Sequence, residues 1–280
     1  MTPRDVAALA CPVCLGVLRF EGALDGGRLG SGALACETCD RPWPVRNGLP
    51  DLVDESRVRT FDRVMRVVYD WIAPLHDPAT RVLLPLLQGS SEDSTREGSV
   101  RRLRLDELRG EGGRPPKILE VGIGSGGSLP WIERALPRGL DEEVWGVDLS
   151  PEMLARCDRH VAGRPVRLLL ADGHALPFPD ASFDRVYNAG GIGTYGDPAR
   201  GLAEMARVAR PGAPIVVVDE QLDPRAGLGI FRRLAFRALT LYELAPRCPT
   251  AHLPPNAVDV TEEQVSPFYY CLSFRRPDLR

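Results

Sequence analysis

Between Lys117 and Glu220 the chain alternates two kinds of hydrophobic pattern. Short apolar runs of strand length, "KILEVGI", "EVWGVDL", "VRLLLAD", "SFDRVYNA" and "APIVVVDE", are separated by stretches whose apolar residues recur every three or four positions, "SLPWIERAL", "PEMLARCDRHV" and "PARGLAEMARVA". Apolar strands alternating with amphipathic helices predict a mostly parallel sheet covered on both faces, the doubly wound, Rossmann-like α/β class. The tail adds a long helical stretch, "GLGIFRRLAFRALTLYEL", and two β-like runs, "AVDVTEEQV" and "FYYCLSFRR". Their closeness in sequence predicts an antiparallel hairpin at a sheet edge.

The pattern is different upstream. From Thr60 to Leu87 apolar residues recur at helical spacing (Phe61, Val64, Met65, Val68, Ile72, Leu75), broken by Pro74, Pro78 and Pro85, which predicts helices that bridge two parts of the chain. The segment "GSSEDSTREGS", residues 89–99, is small, polar and charged and reads as a mobile loop. Residues 1–55 are rich in Gly, Pro and Cys with only short apolar runs, too little apolar material to fold without a staple. The expected organisation is a small module over 1–55, a helical linker or cap over 56–110, and a large α/β domain over 111–280.

The 280 residues carry a formal charge of −3 with both signs mixed throughout, so no electrostatic footprint for nucleic acid stands out. No apolar run reaches the roughly 18–20 residues that cross a bilayer, and the amino end has neither a basic region nor a long apolar core of the secretory type. A cytoplasmic location is expected.

Four of the seven cysteines form two pairs, Cys11-x2-Cys14 and Cys36-x2-Cys39, with 21 residues between them. That is close to the spacing of two zinc-ribbon knuckles, and four thiolates would close a structural Zn2+ site with no open position for catalysis. Cys157, Cys248 and Cys271 read as buried thiols.

The stretch "ILEVGIGSGGSLPWI" brings in chemistry. Gly122, Gly124 and Gly126 follow a strand and precede a helix, where backbone must approach a ligand closely. Glu120, two residues upstream, would repel a pyrophosphate and attract the amino and sulfonium cations of S-adenosylmethionine. Asp148 closes the next strand and suits ribose hydroxyls, while Ser150 is the better helix cap. Asp172 ends a third strand, where a carboxylate can accept from an exocyclic amine.

These stretches, with "VWGVDLSPEML" and "ADGHALPFPDASFDRVYNAGGIGTYGDPARGLAEMARVARPGAPIVVVDE", resemble the class I S-adenosylmethionine-dependent methyltransferases. Within them, the resemblance is to the small-molecule branch that includes the C-methyltransferases of ubiquinone and menaquinone synthesis. It covers Lys117 to Glu220, and "FYYCLSFRRP" resembles the last strand of that fold. The resemblance implies a seven-stranded methyltransferase sheet. It further implies that Gly122, Gly124 and Gly126 lie against the cofactor with Glu120 near its methionine end. Asp148 would take the ribose hydroxyls, Leu149 flank the adenine, Asp172 bond the adenine amino group with Gly173 beside it, and Asn188 support the sulfonium side. "RPWPVRNGLPDLV" resembles zinc-ribbon modules that precede some methyltransferases, including certain ribosomal RNA guanine methylases.

The expected activity is methyl transfer to a small, lipophilic or aromatic acceptor, at carbon or oxygen. Asn188-Ala-Gly-Gly departs from the Asn/Asp-Pro-Pro-aromatic tetrad of enzymes that methylate exocyclic base amines or glutamine amides, which argues against those substrates. A base, where one is needed, would come from Tyr195, His174, His76 or Tyr69. A ribosomal RNA methylase, a non-catalytic cofactor-binding scaffold and, because Gly122-x-Gly124-x-x-Gly127 also fits the dinucleotide fingerprint, a nicotinamide oxidoreductase are the alternatives; the mixed charge of the ribbon offers no basic face for RNA. The ribbon would cover the pocket or pair subunits in a homodimer. The basic, amphipathic Leu228–Leu244 would suit a lipophilic acceptor delivered from a membrane surface.

Overall fold

The computed structural model of the protein describes residues 1–78, 85, 92–110, 114–138, 142–240, 243 and 245–277. Seven strands form one sheet: β5 (Lys117–Val121), β6 (Glu143–Asp148), β7 (Val166–Leu170), β8 (Arg185–Ala189), β9 (Pro214–Glu220), β10 (Val258–Ser266) and β11 (Tyr269–Arg275). Their order is β10-β11-β9-β8-β5-β6-β7. The five from β9 to β7 run parallel, and β11 pairs antiparallel with β9, setting Tyr269 opposite Glu220. The terminal hairpin therefore closes one edge, as the sequence predicts. The fold is the doubly wound α/β class, with the direction of winding reversing between β5 and β8.

The covering helices begin where the sequence caps them. In α5 (Pro151–His160) Ser150 accepts a hydrogen bond from the Met153 amide, and in α6 (Pro198–Val208) Asp197 does so from Arg200. Proline at the first helical position has no amide to leave unpaired. A shorter helix, α4 (Leu129–Ala135), follows the glycine loop, and α7 (Ile230–Leu239) follows β9.

The amino-terminal module begins with the short helix α1 (Pro3–Val6) and is a four-stranded antiparallel sheet of β1 (Leu18–Asp25), β2 (Arg28–Cys36), β3 (Pro42–Arg46) and β4 (Leu49–Pro50). It docks on the open β7 edge. Asp51 bridges to Leu170, the Leu52 amide donates to the Leu170 carbonyl at 2.8 Å, and the Ala10 amide donates to Pro177 at 2.9 Å. Leu34, Trp43, Val45 and Leu52 share one continuous apolar core with Trp145, Leu169 and Phe178. The module completes the core of the larger sheet at an edge that would otherwise be bare.

The helices α2 (Thr60–Pro78) and α3 (Glu92–Arg102) lie on the connection between the parts. The second corrects the loop reading of residues 89–99: residues 92–99 are helical, and 89–91 lie outside the described residues. The inner face of α3 is made of Thr95, Ser99 and Val100, all buried. The Ser99 hydroxyl meets the Tyr187 hydroxyl at 2.8 Å inside the core, so a polar contact replaces the apolar stripe that would have advertised a helix. Ser99→Ala would leave the buried Tyr187 hydroxyl without that partner. It should cost about 1–3 kcal/mol, read as a lower urea midpoint with an unchanged slope.

Candidate active site

A cavity of about 380 Å3 opens at the carboxyl edge of the parallel strands, beside the reversal between β5 and β8. This is where open α/β sheets hold ligands. After β5 the chain turns sharply: the Gly122 and Ile123 amides both donate to the Val147 carbonyl, at 2.8 and 3.0 Å. Gly122 and Gly124 adopt φ of 70° and 55°, a region that costs other residues energy, and both line the cavity. Gly126 also has positive φ but does not line it. A Cβ there would stand 3.0 Å from Cys157 Sγ and from Leu129 Cδ1, so this glycine serves loop-to-helix packing, and Gly127 is the one on the wall. That corrects the placement of Gly126 against the ligand.

Glu120 lies on the wall, 1 % exposed, with Oε2 lacking any partner. Burial pushes its carboxyl up to about 7, against the opposing pull of a Ser128 hydrogen bond and the Arg96 charge. Arg96 comes from α3 and donates to Ser128 Oγ at 3.0 Å. Asp148 braces the loop: one oxygen accepts from the Gly124 amide and the other from the Ser150 amide, both at 2.8 Å. Burial raises its pKa. Leu149, Asp172 and Gly173 complete this wall.

His174 and Tyr195 stand together in the cavity. Asp172 Oδ1 accepts from the His174 amide at 2.9 Å and sits 2.7 Å from Nδ1, which fixes the ring; Nε2 is buried without a partner. Burial lowers the His174 pKa, and the Asp172 hydrogen bond and charge more than offset it, so the net shift is upward. The Tyr195 ring lies 4.7 Å from the imidazole. It is wedged between two glycines: a Cβ on Gly173 would stand 2.0 Å from the phenol oxygen, and one on Gly201 2.5 Å from the ring. Burial holds this phenol well above its ordinary pKa.

Asn188 is the second correction. It is fully buried and does not line the cavity; its Nδ2 donates to the Val121 carbonyl at 2.7 Å, tying β8 to β5 beneath the site. Ala189, Gly190 and Gly191 form the wall there instead. Asp219 lies behind the wall as well, accepting from the Gly193 amide. The His76 side chain lies outside the described residues. Among the lining residues that sequence reasoning missed are Asp62, Met65 and Arg66 on α2 and Arg96 on α3, which line the cavity with Tyr69. Asp62, Arg66 and Tyr69 recur at helical spacing opposite the apolar stripe of α2, a signal that was there to read.

The four amino-terminal thiols converge. All sulfurs lie within 4.8 Å of one another, with Cys11 to Cys39 at 3.8 Å and Cys14 to Cys36 at 3.5 Å. Tetrahedral zinc with sulfurs about 2.3 Å away sets its ligands about 3.8 Å apart, so the donor set fits that ion. The two knuckles are built alike. In each, the residue after the second cysteine, Leu15 or Asp40, has positive φ and donates its amide back to the carbonyl of the first cysteine. No residue of the ribbon lines the large cavity.

A doubly wound sheet with a glycine cradle and acidic strand ends defines a nucleoside-cofactor domain. Residues 119–217, the greater part of the parallel strands, match the methyltransferase domain family. The chain is 36 % identical over 125 residues to a demethylmenaquinone methyltransferase of Thermus thermophilus, covering 44 % of this chain and 56 % of that protein. It is 38 % identical over 125 residues to a phosphatidylethanolamine N-methyltransferase of Cereibacter sphaeroides, covering 43 % and 57 %. The chain thus spans little more than half the length of these curated relatives. In fold it is similar to a Haemonchus contortus phosphoethanolamine N-methyltransferase solved with S-adenosyl-L-methionine, with a TM-score of 0.54, 12 % identity, and coverage of 85 % of this chain and 62 % of that one.

Proposed function

We propose that the protein transfers a methyl group from S-adenosylmethionine to a small lipophilic acceptor, and that a structural zinc ion holds its ribbon. The observation that carries the first reading is the buried Glu120 oxygen, unpartnered on the wall of a glycine-lined cavity that also presents Asp148 and Asp172. Such a wall favours a cationic nucleoside over the pyrophosphate of a dinucleotide. Demethylmenaquinone and phosphatidylethanolamine, named for two relatives, are both membrane lipids, which supports a lipophilic acceptor over RNA.

When bound, the cofactor supplies an already activated methyl group; the chain supplies position and dryness. Gly122 and Gly124 let the backbone approach, Glu120 faces the cationic end, and Asp148 and Asp172 offer acceptors to ribose and adenine. The cover helix α2 closes the cavity with Met65, Arg66 and Tyr69. For a phenol or enol acceptor, His174 Nε2 takes the proton, with Asp172 holding the tautomer that leaves Nε2 free. Tyr195, kept protonated by burial, donates or packs.

The test is incubation with methyl-labelled S-adenosylmethionine and host extract, separated into lipid, small polar, RNA and protein fractions. Label in the lipid fraction is expected. Label in RNA would overturn the acceptor class, and tight cofactor binding with label nowhere would favour a scaffold.

A further inference from the structure

Two helices at the carboxyl edge of the sheet are turned the wrong way round for a water-soluble surface. On α2 the polar residues Asp62, Arg66 and Tyr69 face the cavity, while Phe61, Val64, Val67, Val68 and Trp71 face solvent. Trp71 is 80 % exposed. On α7 Phe236 anchors inward against Phe268, and the opposite side presents Ile230, Phe231 and Leu234, with Phe231 84 % exposed. Phe268 sits in the β10–β11 turn, beside Gln221 at the end of β9, so α7 stands over the same edge as the cavity. Large apolar side chains gathered at that edge indicate something that covers them.

We infer that these two faces dock on a bilayer bearing anionic headgroups. The charge of α7 chooses the occupant. Arg232, Arg233 and Arg237 are exposed, and the helix contains no acidic residue. Arginines bordering an apolar stripe are the make-up of a helix that lies in a membrane interface, where aromatic side chains also concentrate. A second copy of this chain across a two-fold axis would bring a patch of arginines against itself. No described helix is long and apolar enough to cross the membrane, so the docking is peripheral. The inference deepens the proposed lipophilic acceptor by naming where it is collected, and its test does not pass through activity.

The 280-residue chain would be floated with vesicles of phosphatidylcholine alone and of equal parts phosphatidylcholine and phosphatidylglycerol. Binding to the mixed vesicles is expected to exceed binding to the neutral ones about tenfold or more and to fade with salt. Phe231→Ser and Trp71→Ser should each lower it several-fold, and Arg232→Gln with Arg237→Gln should remove the preference for anionic lipid. Cofactor binding by each variant, measured by calorimetry, reports folding, since neither Trp71 nor Phe231 lines the cavity. Failure to bind either vesicle, or binding that ignores these substitutions, would overturn the surface while leaving methyl transfer standing. Light scattering that shows a dimer dispersed by Phe231→Ser would hand the face to a second copy.

Discussion

Cys36→Ser is expected to abolish zinc binding and to lower the melting temperature of the whole chain by about 10 °C or more. In zinc-finger peptides the metal contributes on the order of 10–16 kcal/mol to folding, and here the ribbon has little apolar material of its own. The loss should not stay local. Leu34, Trp43 and Leu52 pack into the core that holds Leu169 and Phe178, and Leu52 is hydrogen-bonded to Leu170 at the sheet edge. Arg167 on β7 also pairs with Asp5 at 2.7 Å. Releasing the ribbon therefore bares apolar surface and an unpaired strand edge of the larger α/β sheet. Elemental analysis should find a single zinc per native chain and almost none in the variant, with calorimetry reporting the fall in melting temperature. A variant that keeps its metal, or melts as before, would show that the thiols hold something other than a structural ion.

That coupling is one of the things composition concealed. The CxxC pairs and their separation made the four-thiol cluster legible, because four soft donors in two knuckles have few uses other than holding a metal. The docking edge was not, since Asp51 and Leu52 look like any loop residues until the sheet is assembled. The central strands and their helices were legible for the opposite reason: apolar runs and capping residues act locally, and Ser150 and Asp197 cap the helices they precede. Gly126 and Asn188 show where such reading stops. A glycine that admits a ligand and a glycine that admits Leu129 are the same letter, and an asparagine at a strand end gives no sign that it ties two strands together from beneath. The periodicity of α2 is plain in the sequence, but a stripe of Phe61, Val64 and Val68 reads as core-facing by default. Its outward orientation came only with the cavity it covers.

Glu120→Gln is expected to weaken S-adenosylmethionine binding by about ten- to hundredfold while making the ligand-free protein more stable above neutral pH. The two effects share one cause. Burial raises the Glu120 carboxyl from its ordinary 4.5 to about 7. A group whose folded pKa lies above its unfolded value stabilises fully below the unfolded value and loses that contribution as pH climbs through the folded one. The ligand-free chain should therefore lose stability from this residue between about pH 4.5 and 7, where the unfolded carboxyl is ionised and the buried one resists. A cationic ligand reverses the preference by favouring the carboxylate, so binding should tighten as pH rises through about 7 and release up to one proton. Titration calorimetry near pH 6 and pH 8, in buffers of unlike ionisation enthalpy, reads both the affinity and the proton count. In Glu120→Gln the proton release should vanish and the affinity should no longer respond to pH in that window. Affinity that is flat with pH in the native protein, or tightest in acid, would mean that the cation does not face Glu120 and that the cofactor lies in the cavity the other way round.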